Sequence, residues 1–263
     1  MTFTTLTVRH ARPIDRVNPV AKLAAALLLG VCLILTVDWV SASVALLLEA
    51  LLLPFAGLGW RQFWSRTWPV WAAAPSAAIT IALYGQTSGL VYWEFLMARV
   101  SEGSLELAVA TALRVLAIAL PSVVLFVTVD PTDLADGLAQ IVRLPARFVL
   151  GALAGLRLIG LFIEDWRSLE LARRARGVAD HGRIRRLFGQ AFALLVLSVR
   201  RGSKLATAME ARGFGSARTR TRTWARPSRF GARDWVVAGL GLLIGLTAVA
   251  ASVMTGNWNS LVG

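Results

Sequence analysis

The residues best placed to do chemistry recur as one phrase. Ala172-Arg173-Arg174-Ala175-Arg176-Gly177 and Ala208-Met209-Glu210-Ala211-Arg212-Gly213 both fit Ala-x-x-Ala-Arg-Gly, and the two phrases are 36 residues apart. Each closes a run that reads as helix. Alanine is small and lets another backbone come close. Arginine in a last turn is favoured by the helix dipole, and its planar fork can hydrogen-bond a carboxylate through two nitrogens. Glycine ends the helix, so the guanidinium projects beyond it. The pattern predicts two arginine-tipped plugs suited to acidic grooves in a partner. The alternative is that alanine and arginine are merely abundant in a basic loop, since one Ala-Arg-Gly alone carries little information.

Other chemistries are poorly supplied. Lys22 and Lys204 are the only lysines, and neither completes Gly-x-x-x-x-Gly-Lys-[Ser/Thr], so ATP is not bound by that route. Cys32 is the single cysteine and His10 and His181 the only histidines, which leaves no disulfide framework and no zinc cluster. No Ser/His/Asp set is recognisable. Asp130, Asp133 and Asp136 are the one compact acidic group, and they read as a helix N-terminus rather than a metal site. No cofactor and no catalytic residue is expected. Glu49 and Arg114 interrupt apolar runs, where an ionisable group is expensive. They read as structural charges, pairing with each other or, for Arg114, with Glu106; a gate or ion relay is the alternative.

The elements that must position these residues are membrane-spanning. The chain has 263 residues, 56% hydrophobic, with a mean hydropathy of +0.63; this is an integral membrane composition. The first 18 residues are polar and basic, unlike a cleavable signal peptide. Asn18-Pro19 opens a first apolar run to Val37, with Lys22 expected to snorkel to the interface. Asp38-Trp39 marks the far side, and Val40 to Leu58 is the second run. Trp60 to Arg66 reads as a basic, aromatic loop at headgroup level, with Trp60, Trp64, Trp68 and Trp71 as interface anchors. The third run, Trp68 to Tyr84, contains Pro69 and Pro75, which predict a kink or a shorter helix after Pro75. Gly85 to Ser104 reads as an external loop, with or without a short interfacial helix, Leu105 to Val129 as the fourth run, and Trp235 to Met254 as the fifth.

Charge sets the orientation. The formal net charge is +13, and the 130–234 window holds 20 of the 28 basic residues and nine of the 15 acidic ones. With the N-terminal arm and Arg61/Arg66, five spans put nearly all basic residues on one side, which is therefore cytoplasmic. Such a block suits anionic lipid, an acidic protein surface or nucleic acid. The expected architecture is an all-α integral membrane protein with about five transmembrane helices. Residues 1–129 form the arm and spans 1–4, 130–234 a cytoplasmic domain of long helices, and 235–263 the last span and tail. Within 130–234, Pro131, Asp133 and Leu134 open a helix capped by Thr132 or Asp133. Leu144-Pro145 breaks it, Arg147 to Arg176 is one long helix, and His181 to Arg186 is a basic linker. A second long helix then runs from Leu187 to Arg212, with Gly177 and Gly213 as caps.

At these residues the chain resembles the transmembrane coupling subunit, the T component, of energy-coupling-factor transporters. Asn18-Pro19-Val20-Ala21-Lys22-Leu23 is similar to that family's first span, and Asp130 to Leu138 to the opening of its coupling domain. Arg174-Ala175-Arg176-Gly177 and Ala208 to Phe214 are similar to its paired signatures. The resemblance implies a non-catalytic subunit in the cell membrane. Ala175, Arg176, Gly177, Ala211, Arg212 and Gly213 would dock into two ATP-binding-cassette ATPases, and the apolar parts of the long helices would hold a small membrane-embedded substrate-binding subunit for a vitamin or metal ion. No nucleic-acid partner is implied. The run Arg218-Thr219-Arg220-Thr221-Arg222 departs from the pattern. Outside the resemblance, a lipid-headgroup enzyme and a basic membrane anchor are the alternatives.

Overall fold

The computed structural model describes residues 13–36, 38–57, 59–85, 88–95, 98–177, 182–213 and 224–256. Among these are eight α-helices, α1 (Pro19–Ile34), α2 (Trp39–Leu52), α3 (Trp60–Tyr84), α4 (Glu102–Val127), α5 (Pro131–Gln140), α6 (Ala146–Ala175), α7 (Arg183–Ala211) and α8 (Ala232–Met254). Two short strands, β1 (Val91–Phe95) and β2 (Ala98–Ser101), pair antiparallel. The chain divides into two compact units, Met1–Gly137 with Ser228–Gly263, and Leu138–Pro227.

The first unit is a helical bundle. Its core is Leu29 and Leu33 of α1, Ala45 of α2, Ala117 of α4, and Ile244 and Ala248 of α8. Small residues set the helix spacing. A Cβ on Gly241 would stand 2.5 Å from the Ala25 carbonyl oxygen, and one on Gly245 2.6 Å from Cys32 Cβ. Gly241 and Gly245 are one turn apart, so α8 presents a bare stripe against which the α1 backbone packs. This is how helices associate in lipid, where burying apolar area gives no advantage. The outer surfaces stay apolar, with Leu27, Val31, Leu47, Leu51, Val236 and Leu243 exposed.

Helices α4, α6 and α8 are long and apolar enough to cross a membrane, while α1 and α2 are shorter apolar helices. At 1.5 Å per residue α1 and α2 reach about 24 and 21 Å, less than the roughly 30 Å of a bilayer core. A 3-10 turn, Leu53–Ala56, extends α2. The chain is a mostly all-α membrane protein, as its composition implies, and the span-length helix α6 lies in the stretch that the resemblance assigns to coupling.

Three local expectations are corrected. The Trp60–Arg66 loop is the first two turns of α3, which runs unbroken through Pro69 and Pro75. Each proline removes one backbone donor, and the intact ladder on both sides carries the helix across. Within Gly85–Ser104 the chain forms the β1–β2 hairpin, and Ser101 then caps α4, its hydroxyl accepting from the Ser104 amide at 3.2 Å. The basic linker is shorter than expected, because α7 already begins at Arg183.

The second unit is built on α6 and α7. Asp165 meets Arg201, Glu170 meets Arg186, and Arg173 meets Gly189. Arg201, far along α7, meets Asp165, which lies earlier on α6 than the Glu170 and Arg173 met by Arg186 and Gly189, so the helices run antiparallel. Apolar side chains face outward: Phe148, Leu156 and Ile159 on α6, and Phe188 and Phe192, 73% and 68% exposed, on α7.

Candidate functional site

The two Ala-Arg-Gly phrases adopt one geometry. At the end of α6, the Arg176 amide donates to the Ala172 carbonyl at 3.3 Å and the Gly177 amide to the Arg174 carbonyl at 3.0 Å. At the end of α7, the Arg212 amide donates to Ala208 and Met209 at 3.2 Å, and the Gly213 amide to Glu210 at 2.9 Å. Gly177 and Gly213 take φ of +69° and +76°. A Cβ on Gly177 would meet nothing within 4 Å, so conformation, not crowding, selects glycine there. Ala175, Arg176, Ala211 and Arg212 are all exposed. Neither arginine forms an ion pair among the described residues, so each guanidinium stands ready for an outside carboxylate.

Because α6 and α7 are antiparallel, the tips lie at opposite ends of the pair. Arg173 touches Gly189 near one end. From there Arg212 is 23 residues along α7, so the tips are separated by about 35 Å. They cannot share one groove.

The predicted start of this region, Pro131, Asp133 and Leu134, forms the first turn of α5, but its cap is neither Thr132 nor Asp133. Asp130 takes that role, its Oδ1 accepting from the Thr132 amide at 2.8 Å. A cap lies one residue before the first helical turn, and Pro131 fits that turn because it has no amide to satisfy. Asp133 is exposed and Leu134 half-buried.

A junction that the sequence did not disclose ties α5 to the bundle. A Cβ on Gly137 would lie 2.6 Å from Val20 Cγ2 and 3.2 Å from Asn18 Oδ1, so only glycine lets α5 pack there. Asn18 Oδ1 caps α1 at the Val20 amide (2.9 Å), while its Nδ2 donates to Ser228 Oγ (2.9 Å) and the Arg229 carbonyl (3.1 Å). Its own amide donates to Asp234 Oδ1 at 2.6 Å, and Asp234 Oδ2 accepts from Gly231 at 2.7 Å, closing the start of α8. Lys22 does not snorkel. It is 2% exposed, and its ammonium donates to the Thr128 carbonyl (3.2 Å) and hydroxyl (2.8 Å) at the end of α4. A cation at a helix C-terminus is well placed, and this one pins α1 to α4. Asn18 was legible as a cap; its partners lie more than 200 residues away.

Glu49 and Arg114 are not brought together. No ion pair joins them, and none joins Arg114 to Glu106. Glu49 is 6% exposed, neither carboxylate oxygen has a hydrogen-bond partner, and it lines an apolar cavity of about 280 Å³ with Ala25, Leu29, Pro121 and Ile244. Arg114 Nη2 is also buried without a partner. Asp38 caps α2, accepting from the Ser41 amide at 2.8 Å and hydroxyl at 2.7 Å.

The paired tips, the capped α5 and Asn18 itself fall within a single match to known proteins: residues 10–223 fit the family described as CbiQ, cobalt transport protein. The chain belongs to that family. Among its relatives is the energy-coupling factor transporter transmembrane protein EcfT of Bacillus selenitireducens, 29% identical over 259 residues, which cover 92% of this chain and 94% of that protein. The EcfT of Limosilactobacillus fermentum is 29% identical over 202 residues, covering 69% of this chain and 75% of that protein. That of Lacticaseibacillus paracasei is 30% identical over 169 residues, covering 59% and 62%. As a CbiQ-family member the chain is a membrane subunit of a transporter, the T component that the two signatures resemble. The run Arg218–Arg222 lies outside the described residues.

Proposed function

We propose that this subunit couples ATP hydrolysis by two partner ATPases to movement of a small membrane-embedded substrate-binding subunit, in uptake of a vitamin or metal ion. One observation carries the reading. Two exposed arginines, each set one residue before a left-handed glycine, stand at opposite ends of one helix pair. A single anion site needs one such tip; two acidic grooves on two ATPases need two, held apart. Arg176 and Arg212 make the central contacts, flanked by Ala175, Gly177, Ala211 and Gly213, and Pro131, Asp133 and Leu134 begin the coupling region.

The outward apolar faces of α6 and α7 hold the binding subunit, since Phe148, Ile159, Phe188 and Phe192 are otherwise left uncovered. The 130–234 region lies on the cytoplasmic side of the cell membrane, because 20 of the 28 basic residues fall there. The chain itself performs no chemistry, and ATP is bound and hydrolysed by its partners. Affinity purification of the full chain after mild solubilisation tests this. Two nucleotide-binding proteins and one small membrane protein should be retained; a chain that purifies alone with full transport activity would contradict it.

A further inference from the structure

The two tips are only as well placed as the helices that carry them. The hydrogen-bonded contacts between α6 and α7 are made by charged side chains. Arg201 grips Asp165 with both terminal nitrogens, Nη1 to Oδ2 at 2.5 Å and Nη2 to Oδ1 at 3.0 Å. Arg186 Nη2 reaches Glu170 Oε1 at 2.6 Å, and Glu170 also takes Arg174 of its own helix at 2.8 Å. Arg173 Nη2 donates to the Gly189 carbonyl at 3.0 Å; a Cβ on residue 189 would stand 3.2 Å from Arg173 Nη1, so glycine keeps that approach open.

These contacts are not equivalent. Glu170–Arg186 and Arg173–Gly189 each join residues 16 apart, close to the chain reversal that already holds the helices together. Asp165–Arg201 joins residues 36 apart, where the reversal no longer constrains them. Beyond Arg201, α7 continues to Arg212 with no hydrogen bond or ion pair to α6 among the described residues. A rotation of roughly ten degrees about the Gly189 end would carry Arg212 by about 6 Å, because about 35 Å of helix lies between them. A bidentate guanidinium–carboxylate pair is a suitable brake on such a rotation, since it fixes direction as well as distance.

We propose that Asp165 and Arg201 are positioning residues that set the angle between α6 and α7 and thereby the spacing of Arg176 and Arg212. The functional half of this proposal rests on the docking role given above, and the geometric half does not.

The full chain, co-purified with its ATPases and reconstituted in lipid nanodiscs, can be spin-labelled as Leu171→Cys/Thr207→Cys, both exposed and outside the two phrases, in a Cys32→Ser background. The label distance should form one narrow population on the order of 30 Å. Asp165→Asn should broaden it, and the reversed pair Asp165→Arg/Arg201→Asp should narrow it again. Asp165→Asn should also weaken binding of the ATPase pair about tenfold, through lost simultaneous engagement of both tips. In an Arg212→Glu background, where one tip binds, the same substitution should change affinity little. An unchanged distance distribution, a reversed pair as broad as the single variant, or equal loss of affinity in both backgrounds would overturn the proposal. Retention of both ATPases by Arg176→Glu/Arg212→Glu would instead overturn the docking role, while the distance measurement still decides the positioning.

Discussion

The bundle and the α6–α7 pair solve opposite problems with opposite materials. In the bundle, small residues let backbones touch, the core is alanine, leucine and isoleucine, and the polar links sit at the helix ends, as in Asn18–Asp234 and Lys22–Thr128. In the pair, arginines make the hydrogen-bonded links between helices, two of them ionic, and the phenylalanines point outward. A scaffold in lipid gains from close packing, because every unsatisfied polar group there is costly. A helix pair that presents apolar faces to another protein has less apolar surface for its own association, so its ionic links matter more. The same substitution should therefore have different consequences in the two regions.

The largest effect should come from closing the bare stripe of α8. Gly241→Leu puts a side chain where the Ala25 backbone lies, and overpacking of this kind costs about 1–3 kcal/mol or more. The variant should unfold at lower temperature in detergent and purify poorly. Wild-type thermal stability for Gly241→Leu would show that α1 and α8 are less tightly apposed than described.

Next comes Lys22→Met. It keeps the apolar stem and removes the donor that α4 ends on, leaving the Thr128 carbonyl and hydroxyl to find other partners at a cost of about 1–3 kcal/mol. A melting curve and hydrogen exchange at the end of α4 would register it. No change in either would mean that water or lipid replaces the ammonium without loss.

Glu49→Leu should act in the reverse direction. It removes a buried carboxylate that has no partner, and the isolated subunit should gain stability, by about 1 kcal/mol or more. A less stable Glu49→Leu variant would reveal an interaction that the bundle does not display.

The smallest effect belongs to Phe188→Ser or Phe192→Ser. Exposed side chains of this kind change stability by within about 0.5 kcal/mol, so the isolated subunit should melt as wild type does. Retention of the small membrane partner should nevertheless fall. A large loss of stability would show these rings to be packed within the subunit, and the contrast between the two regions would fail.

What was legible in the sequence was local. Gly177 and Gly213 could be read as caps because a helix end is decided within one turn, and Arg147 to Arg176 could be read as one helix because Leu169 and Ala172 carry the apolar stripe into its polar end. The Asn18 cap was visible for the same reason. What was missed depends on residues far apart. Lys22 looked like a snorkelling cation because Thr128, its partner 106 residues on, is chosen by packing alone. Gly241 and Gly245 carry a readable spacing, four residues apart in an apolar run, yet their purpose appears only once α1 lies against them. The β1–β2 hairpin was hidden because Val91-Tyr92-Trp93-Glu94-Phe95 shows no clean alternation, and the start of α3 because its arginines and tryptophans resemble an interfacial loop. Glu49 and Arg114 stood out in the sequence as charges within apolar runs, and their separation could not be foreseen from opposite charge alone.

The most direct test of the central claim compares the two tips one at a time. Arg176→Glu and Arg212→Glu, made singly and together in the full chain, should leave membrane insertion and the melting curve unchanged, because both side chains are exposed. Removing one member of an interfacial charge pair costs about 2–5 kcal/mol. Each single variant should therefore retain one ATPase firmly and lose most of the other, and the double variant should retain neither and support no uptake. A double variant that holds both ATPases at wild-type affinity would contradict the account.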